Sequence, residues 1–414
     1  MGLWAALCAL LLCHAAWPQA APSPADAITM ARAVQLATGK NPTLLAAREH
    51  LEAVRANEIT ARLRQNPELS LSGADVSLPA DNPASPYSYS ANVSRLFERG
   101  QKRRWRIEGT RAYSQAGEQQ YKDQERQVLF QVRQNFVQVL QSQAVLDLAK
   151  QDLESWNKTL ELSKVRLDVG DISGTEYARL DLQEAQFESD YENAVQSLRQ
   201  NSDQLQVLLG IEHPSATFAI AGDLTPPAFD KTLEQIEQLA LAARPDLLAA
   251  QATVDATAAD HRLAVAGGTT DPTLAGEYDR SGTYNSFGFS VNLPLRFFDR
   301  NQGEKSRTAF EADSSRFALI SARNQVMSDV DQAWAGYEGA AHLASRYNTH
   351  YRDESQKVRD NLEFSYQHGN ATLLDFLDSL RDFRQTQLNG VNANAQVWLA
   401  LCQLTSAANT EMVP

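Results

Sequence analysis

Cysteine is nearly missing from this chain: it occupies three of 414 positions, and two of these, Cys8 and Cys13, fall in an N-terminal apolar stretch. That stretch, residues 1–21, reads as a secretory signal, with Ala15, Ala16, Ala20 and Ala21 as the small residues near its end. No Lys or Arg precedes it, which leaves room for a translation start upstream of Met1. The exported chain would keep only Cys402, so an intrachain disulfide is excluded and Cys402 reads as a small buried apolar residue. Long hydrophobic runs are also missing: beyond the signal no stretch approaches the ~18 apolar residues of a spanning helix, so a membrane crossing would have to use strands. Positive charge is scarce. A net charge of -13 excludes a nucleic-acid backbone as the main partner, because phosphate binding needs a basic stripe and only Arg95 to Arg106 is locally basic. Finally, no His-Glu-x-x-His, phosphate loop or Gly-x-Ser-x-Gly is present and the seven histidines are scattered, so neither catalysis nor a bound metal or cofactor is expected.

What the chain does contain is a duplication. Asn41-Pro42-Thr43-Leu44-Leu45-Ala46-Ala47 opens a helical stretch, and Arg244-Pro245-Asp246-Leu247-Leu248-Ala249-Ala250 opens another about 200 residues later. Each opening is followed by a strand pair, a long heptad helix, a Gly turn and a returning helix. The spacing predicts one repeat over residues 22–211, a linker over 212–230, a second repeat over 231–408 and a tail over 409–414. So long a period implies two pseudo-equivalent halves side by side rather than a solenoid, whose repeats run about 20–50 residues.

The strands are predicted at matched places. Glu68 to Gly73 and Tyr87 to Ser94 flank a loop carrying Pro79, Pro83 and Pro86; Thr273 to Tyr278 and Phe287 to Leu293 flank Ser281-Gly282-Thr283. Along the last strand Phe287, Phe289, Val291 and Leu293 share one face, while Gly288, Ser290 and Asn292 share the other. Such alternation over about ten residues is the signature of an outer-membrane strand, with an amphipathic hairpin on a soluble domain as the alternative. Four strands cannot close a membrane barrel, which needs roughly eight or more, and open edges are not tolerated in lipid. Several copies must therefore share one barrel.

The rest is predicted helical. Val132, Val139, Leu146, Leu153, Leu160 and Leu167 recur every seven residues, as do Val330, Tyr337, Ala344, Tyr351 and Val358. Unbroken helices of about 65 residues would reach roughly 100 Å, several times a bilayer, and so must project from it. Val169-Gly170-Asp171 and His368-Gly369-Asn370 are the expected turns at their far end, with Ser173 and Thr372 as caps of the returning helices. Asp375 and Asp378 lie three apart on one helix face. A lone acid pair usually marks a solvated face, but repeated in every copy it would form a ring of the kind that lines cation-passing constrictions. The run Lys102, Arg103, Arg104, Arg106 has two readings, contact with acidic lipid headgroups or a solvated helix start paired with Glu108.

These features resemble the TolC-like outer-membrane factors of Gram-negative efflux pumps. Leu293-Pro294-Leu295-Arg296-Phe297-Phe298-Asp299-Arg300-Asn301-Gln302-Gly303-Glu304 is similar to the heavy-metal branch, the outer component of cobalt-zinc-cadmium type pumps, and Gly100-Gln101-Lys102-Arg103 resembles that branch's Gly-Gly-Lys-Arg except at Gln101. The resemblance implies a mainly α fold with a membrane β-barrel: a homotrimer sharing twelve strands in the outer membrane above a periplasmic helical tunnel. It implies a periplasmic adaptor at the tips around Gly170 and Gly369 and an inner-membrane pump of resistance-nodulation-division type. It places Asp375 and Asp378 at the constriction. Some relatives lock the closed tip with an Arg two residues after the second Gly; here that residue is Ala371, leaving Arg179 and Asp181 as substitutes. The chain would then be a passive duct for heavy-metal cations or small toxic solutes. A drug-efflux or type I secretion channel, and a soluble periplasmic coiled-coil scaffold, stay open as alternatives.

Overall fold

The computed structural model describes residues 27–74 and 87–412; residues 1–26, which include the expected signal, the Pro-rich connection and the last two residues lie outside that range. Two helices, two strands and two longer helices follow one another: α1 (Met30–Lys40), α2 (Pro42–Arg62), β1 (Glu68–Ala74), β2 (Ser88–Leu96), α3 (Lys102–Asp168) and α4 (Gly174–Leu208). The order then recurs as α5 (Leu233–Ala243), α6 (Pro245–Gly267), β3 (Thr273–Ser281), β4 (Tyr284–Asn292), α7 (Gln302–Arg346), α8 (Arg352–Gln367) and α9 (Leu373–Ala408).

Local chemistry explains where the elements start. Asn41 caps α2, its side-chain oxygen accepting from the N–H groups of Thr43 and Leu44, and Pro42 occupies a first-turn position where no donor is needed. The Asn41 amide also donates to the Leu208 carbonyl at the end of α4, 2.8 Å away. In the second half Arg244 takes that place by other means: its guanidinium pairs with Asp246 and Asp329 and donates to the Ala407 carbonyl at the end of α9. Each junction thus closes its repeat by tying the start of one helix to the last turn of another.

The four strands form one antiparallel sheet in the order β1-β2-β3-β4. Its register aligns Leu71, Ala91, Tyr278 and Phe287 in one cross-strand row and Leu69, Val93, Gly276 and Phe289 in another. The alternate rows carry Ser72, Ser90, Asp279 and Ser286, then Ser70, Asn92, Glu277 and Gly288. The middle rows of one face are therefore apolar and those of the other polar across all four strands, with Arg95 and Arg280 in the flanking rows of the apolar face. Among the described residues β1 and β4 are paired on one side only.

At the foot of the sheet the basic run is consumed internally. Lys102 donates to Asp271 at 2.5 Å and to the Thr269 carbonyl, Arg106 pairs with Glu98, and Arg103 donates to the Arg62 carbonyl. Three of the four cations thus hold the two repeats and α2 together instead of reaching for lipid. Glu108 pairs with Arg262 of α6, not with the run. Only Arg104 is left with a neighbouring amide, that of Gln101.

Helix α3 runs unbroken for 67 residues, about 100 Å at 1.5 Å per residue. Its heptad stripe packs as expected, with Val132, Val139 and Leu160 buried. The second long helix departs from expectation. A π turn at Tyr347–Tyr351 divides α7 from α8, and beyond it Val358 is 51% exposed while Arg359 is half-buried and Tyr366 buried. A π turn closes i→i+5 bonds and so holds an extra residue, which moves the buried stripe one position along the sequence. Burial is spread in three clusters along the helices: one around α5, α7 and α9, one around α1, α3 and α4, and one near the tips holding Trp156, Leu180, Phe187 and Phe376. Cys402 lies fully buried in the first, and burial pushes its thiol up to about 12.

Candidate functional site

Both helix tips are built the same way. Gly170 adopts φ +81° and Gly369 φ +74°, the left-handed conformation in which glycine avoids the Cβ penalty. The Gly170 N–H bonds the Leu167 carbonyl and the Asp171 N–H the Arg166 carbonyl; Gly369 and Asn370 do the same to Tyr366 and Ser365. These paired bonds satisfy carbonyls that the last helical turn would otherwise leave open. Ser173 then caps α4 through the Glu176 N–H, and Thr372 caps α9 through the Asp375 N–H. Val169, Gly170, Asp171, His368, Gly369 and Asn370 are all exposed. The His368 ring lies against Phe364, its Nδ1 2.8 Å from the Phe364 carbonyl.

The two tips meet. Tyr366 at the end of α8 donates its hydroxyl to Glu176 at the start of α4, 2.8 Å away, while its ring stacks on Phe376 and underlies the Arg166 guanidinium. Burial, then the bond to Glu176, pushes the Tyr366 hydroxyl up to about 12, so it stays a donor at any physiological pH. Arg179 lines the same recess, whereas Asp181 is exposed on α4 and makes no ion pair among the described residues.

The two candidate constriction acids have different surroundings. Asp375 closes a capping box: its carboxylate accepts from the Thr372 hydroxyl at 2.6 Å and the Thr372 N–H at 3.1 Å. Those two bonds, the hydroxyl first, hold the Asp375 carboxyl below the usual carboxylate range. Asp378 is exposed, has no such bonds, and lines a groove of about 780 Å³ between α3, α4 and α9.

Deeper in that groove lies a cluster that no sequence pattern marks. Arg384 of α9 donates to Asp152 of α3 at 3.0 Å and to Asp190 of α4 at 2.5 Å. Its guanidinium lies 4.0 Å from the centre of the Phe187 ring, which stacks on Trp156. Burial pushes the Asp152 carboxyl up, although Arg384 opposes the shift. One cation thereby clamps three helices. Its partners are 232 and 194 residues away, so no local spacing could have revealed it.

Phe287, Phe289 and Val291 stand on the apolar face of β4, with Phe287 and Phe289 86% and 87% exposed; Leu293 lies one residue past the strand and is exposed as well. A four-stranded sheet with one apolar face and two open edges, carried on helices about 100 Å long, defines a subunit of a membrane channel with a long helical extension.

The chain belongs to a known family of such channels: the sequence profile described as "Outer membrane efflux protein" matches residues 33–211 and 236–410. It is thus an outer-membrane efflux channel with a periplasmic helical part, and not an enzyme. It is 24% identical to the cobalt-zinc-cadmium resistance protein CzcC of Cupriavidus metallidurans, over 93% of this chain and 90% of that one. It is 23% identical to the outer membrane protein TolC of Vibrio cholerae, over 89% and 88%. Among solved structures, a Pseudomonas aeruginosa membrane protein superposes with TM-score 0.81 at 20% identity, covering 92% of both chains. CusC superposes with TM-score 0.79 at 18% identity, again over 92% of both, and the outer membrane protein VceC of Vibrio cholerae with TM-score 0.77 at 17%, over 93% and 97%. Family membership sets aside the soluble scaffold.

Proposed function

We propose that the chain forms the exit duct of a tripartite pump that expels heavy-metal cations. The observation that carries the duct is the sheet: an apolar outer face needs lipid, and two open edges need neighbours. Three copies joined β4 to β1 give a closed barrel of twelve strands, within the range of outer-membrane barrels, of roughly 8–26. The exposed tips at Val169 to Asp171 and His368 to Asn370 are the surface offered to a periplasmic adaptor, itself coupled to an inner-membrane pump of resistance-nodulation-division type. Likeness to a cobalt-zinc-cadmium resistance protein over nearly the whole chain, together with the Asp299-Arg300-Asn301-Gln302-Gly303 segment, supports metal cations over drugs or secreted proteins as cargo. The chain transports without holding a resident metal: carboxylates that face a path without His or Cys favour transit over tight binding.

Outer-membrane fractionation with detergent mass analysis tests the assembly, and growth of a deletion strain on graded zinc, cobalt, cadmium and drugs tests the cargo. A trimer, and metal sensitivity restored by the gene, are expected; drug sensitivity without metal sensitivity would move the chain to the drug-efflux branch. Ring carboxylates should draw cations. Because Asp375 also caps α9, Asp378→Asn is the cleaner variant, and in planar bilayers it should lower cation preference; unchanged selectivity removes Asp378 from the constriction.

A further inference from the structure

We infer that the groove between the first turns of α3 and the facing side of α6 binds the phosphate of an anionic phospholipid headgroup in the periplasmic leaflet. This rests on the reading of the sheet as embedded in lipid. The groove, about 770 Å³, is walled by Arg103, Arg104, Arg111 and Arg262 against Glu108 and Asp255. In a chain of net charge -13, a wall with four guanidiniums and two carboxylates is opposite in sign to the whole.

Two of these cations are already spent locally. Arg103 donates to the Arg62 carbonyl, and Arg262 pairs with Glu108 at 2.9 Å. Among the described residues Arg104 makes one hydrogen bond, to the Gln101 amide oxygen at 3.2 Å, and Arg111 makes no hydrogen bond or ion pair. The Trp105 ring steadies the site, with the Arg104 guanidinium 4.8 Å and the Arg262 guanidinium 5.1 Å from its centre. The Arg104 guanidinium, held on the ring face, keeps donors free, and a phosphate is the anion whose oxygens match that fork.

Position selects a lipid over a free phosphate. Arg104 lies in the first turn of α3, which begins six residues after β2 ends. Arg111 is two turns further along the same face, roughly 10 Å deeper by helical rise. Headgroups occupy roughly 5–8 Å beyond the hydrocarbon on each side of a bilayer, which puts the Arg104 end of the groove at phosphate level. Apolar side chains stand where the acyl chains would begin. Phe97 follows β2, and Leu295, Phe297 and Phe298 follow β4, with Phe298 94% exposed on a loop held by the Asp299 bond to the Asn301 N–H and the Gln302 bond to the Arg300 N–H. A rigid loop that presents aromatics at a strand end is suited to a membrane interface.

The test compares the full protein with the Arg104→Gln/Arg111→Gln double variant, both purified from the outer membrane. Native mass spectrometry would follow uptake of phosphatidylglycerol or phosphatidylcholine by delipidated protein, with and without excess inorganic phosphate. Expected are preferential phosphatidylglycerol adducts on the unmodified protein, roughly thirtyfold fewer on the double variant from loss of two surface cations at about 1 kcal/mol each, and partial recovery with Arg104→Lys/Arg111→Lys, which restores the charge without the fork. Equal uptake by the double variant, or no preference for the anionic lipid, overturns the site. Displacement by inorganic phosphate makes it a free-phosphate site and overturns the lipid assignment. If the unmodified protein is absent from the outer membrane, it is the membrane reading itself that fails.

Discussion

Arg384 shows how much one side chain can hold in a bundle this thin. Its partners Asp152 and Asp190 come from two other helices, and Arg384 and Asp152 are both mostly shielded from water. Removing one member of a buried pair leaves an uncompensated charge, so Arg384→Ala should cost about 3 kcal/mol, read as a lowered thermal midpoint. The pH dependence has a definite sign. In the variant, burial alone raises the Asp152 carboxyl above its unfolded value, and such a group binds more protons folded than unfolded. The penalty is therefore relieved as pH falls through that raised value, and the gap between variant and parent should narrow on acidification; a gap independent of pH would mean that Asp152 is not the group left stranded. Asp375 behaves oppositely. Its depressed native value means that the cap's contribution is full above the usual carboxylate range and lost as pH falls through the depressed value. Thr372→Ala removes the hydroxyl bond and leaves the backbone one, so it should move the Asp375 carboxyl part of the way up toward its ordinary range, measured by carboxyl NMR, and fray the first turn of α9.

At the scale of elements, the π turn sets the rotation of everything below it. Tyr366 reaches Glu176 and stacks on Phe376 only because α8 leaves that turn with its buried stripe moved one residue along. Deleting Thr349 would remove the extra residue and let α7 run into α8 as one α-helix, with Tyr366 still on the buried stripe. The contact between the tips should then survive, seen as unchanged hydrogen exchange at Glu176 and Tyr366; faster exchange there would show that the π turn does more than absorb one residue. Heptad reading predicted a continuous stripe through Tyr351 and Val358 because periodicity carries no mark of an inserted residue. In α3, where nothing interrupts the helix, the same reading of Val132, Val139 and Leu160 agrees with the burial found.

For the whole molecule, the apolar sheet face is the feature with the largest consequence. A basic residue at mid-membrane on the lipid face of a barrel costs about 2–4 kcal/mol, and each copy of a trimer would carry one. Phe289→Arg should therefore sharply reduce trimer recovered from the outer membrane, whereas Ser290→Arg on the opposite, polar face should be tolerated. Equal recovery of both variants would mean that the sheet is not lipid-facing. The long helices extend that barrel far into the periplasm, and their clusters of burial are small and separate, which suits a shell whose lower third is held by a few named contacts such as Arg384 and Tyr366.

The sequence alone determined the element order, the Gly turns and the alternation of the strands, because each depends on spacings of a few residues that sterics and solvent read locally. It also carried the family, through the duplicated layout. Only the tertiary structure decided which charges pair. Lys102 with Asp271, Arg244 with Asp329 and Arg384 with Asp152 join residues 85 to 232 positions apart. An ion pair needs two groups within a few ångströms, and sequence distance says nothing of that until the helices are packed. The basic run, open in sequence between a lipid contact and a solvated helix start paired with Glu108, became for three of its four cations an internal clasp for this reason, while the cationic groove beside it took two of its four arginines, Arg111 and Arg262, from outside the run.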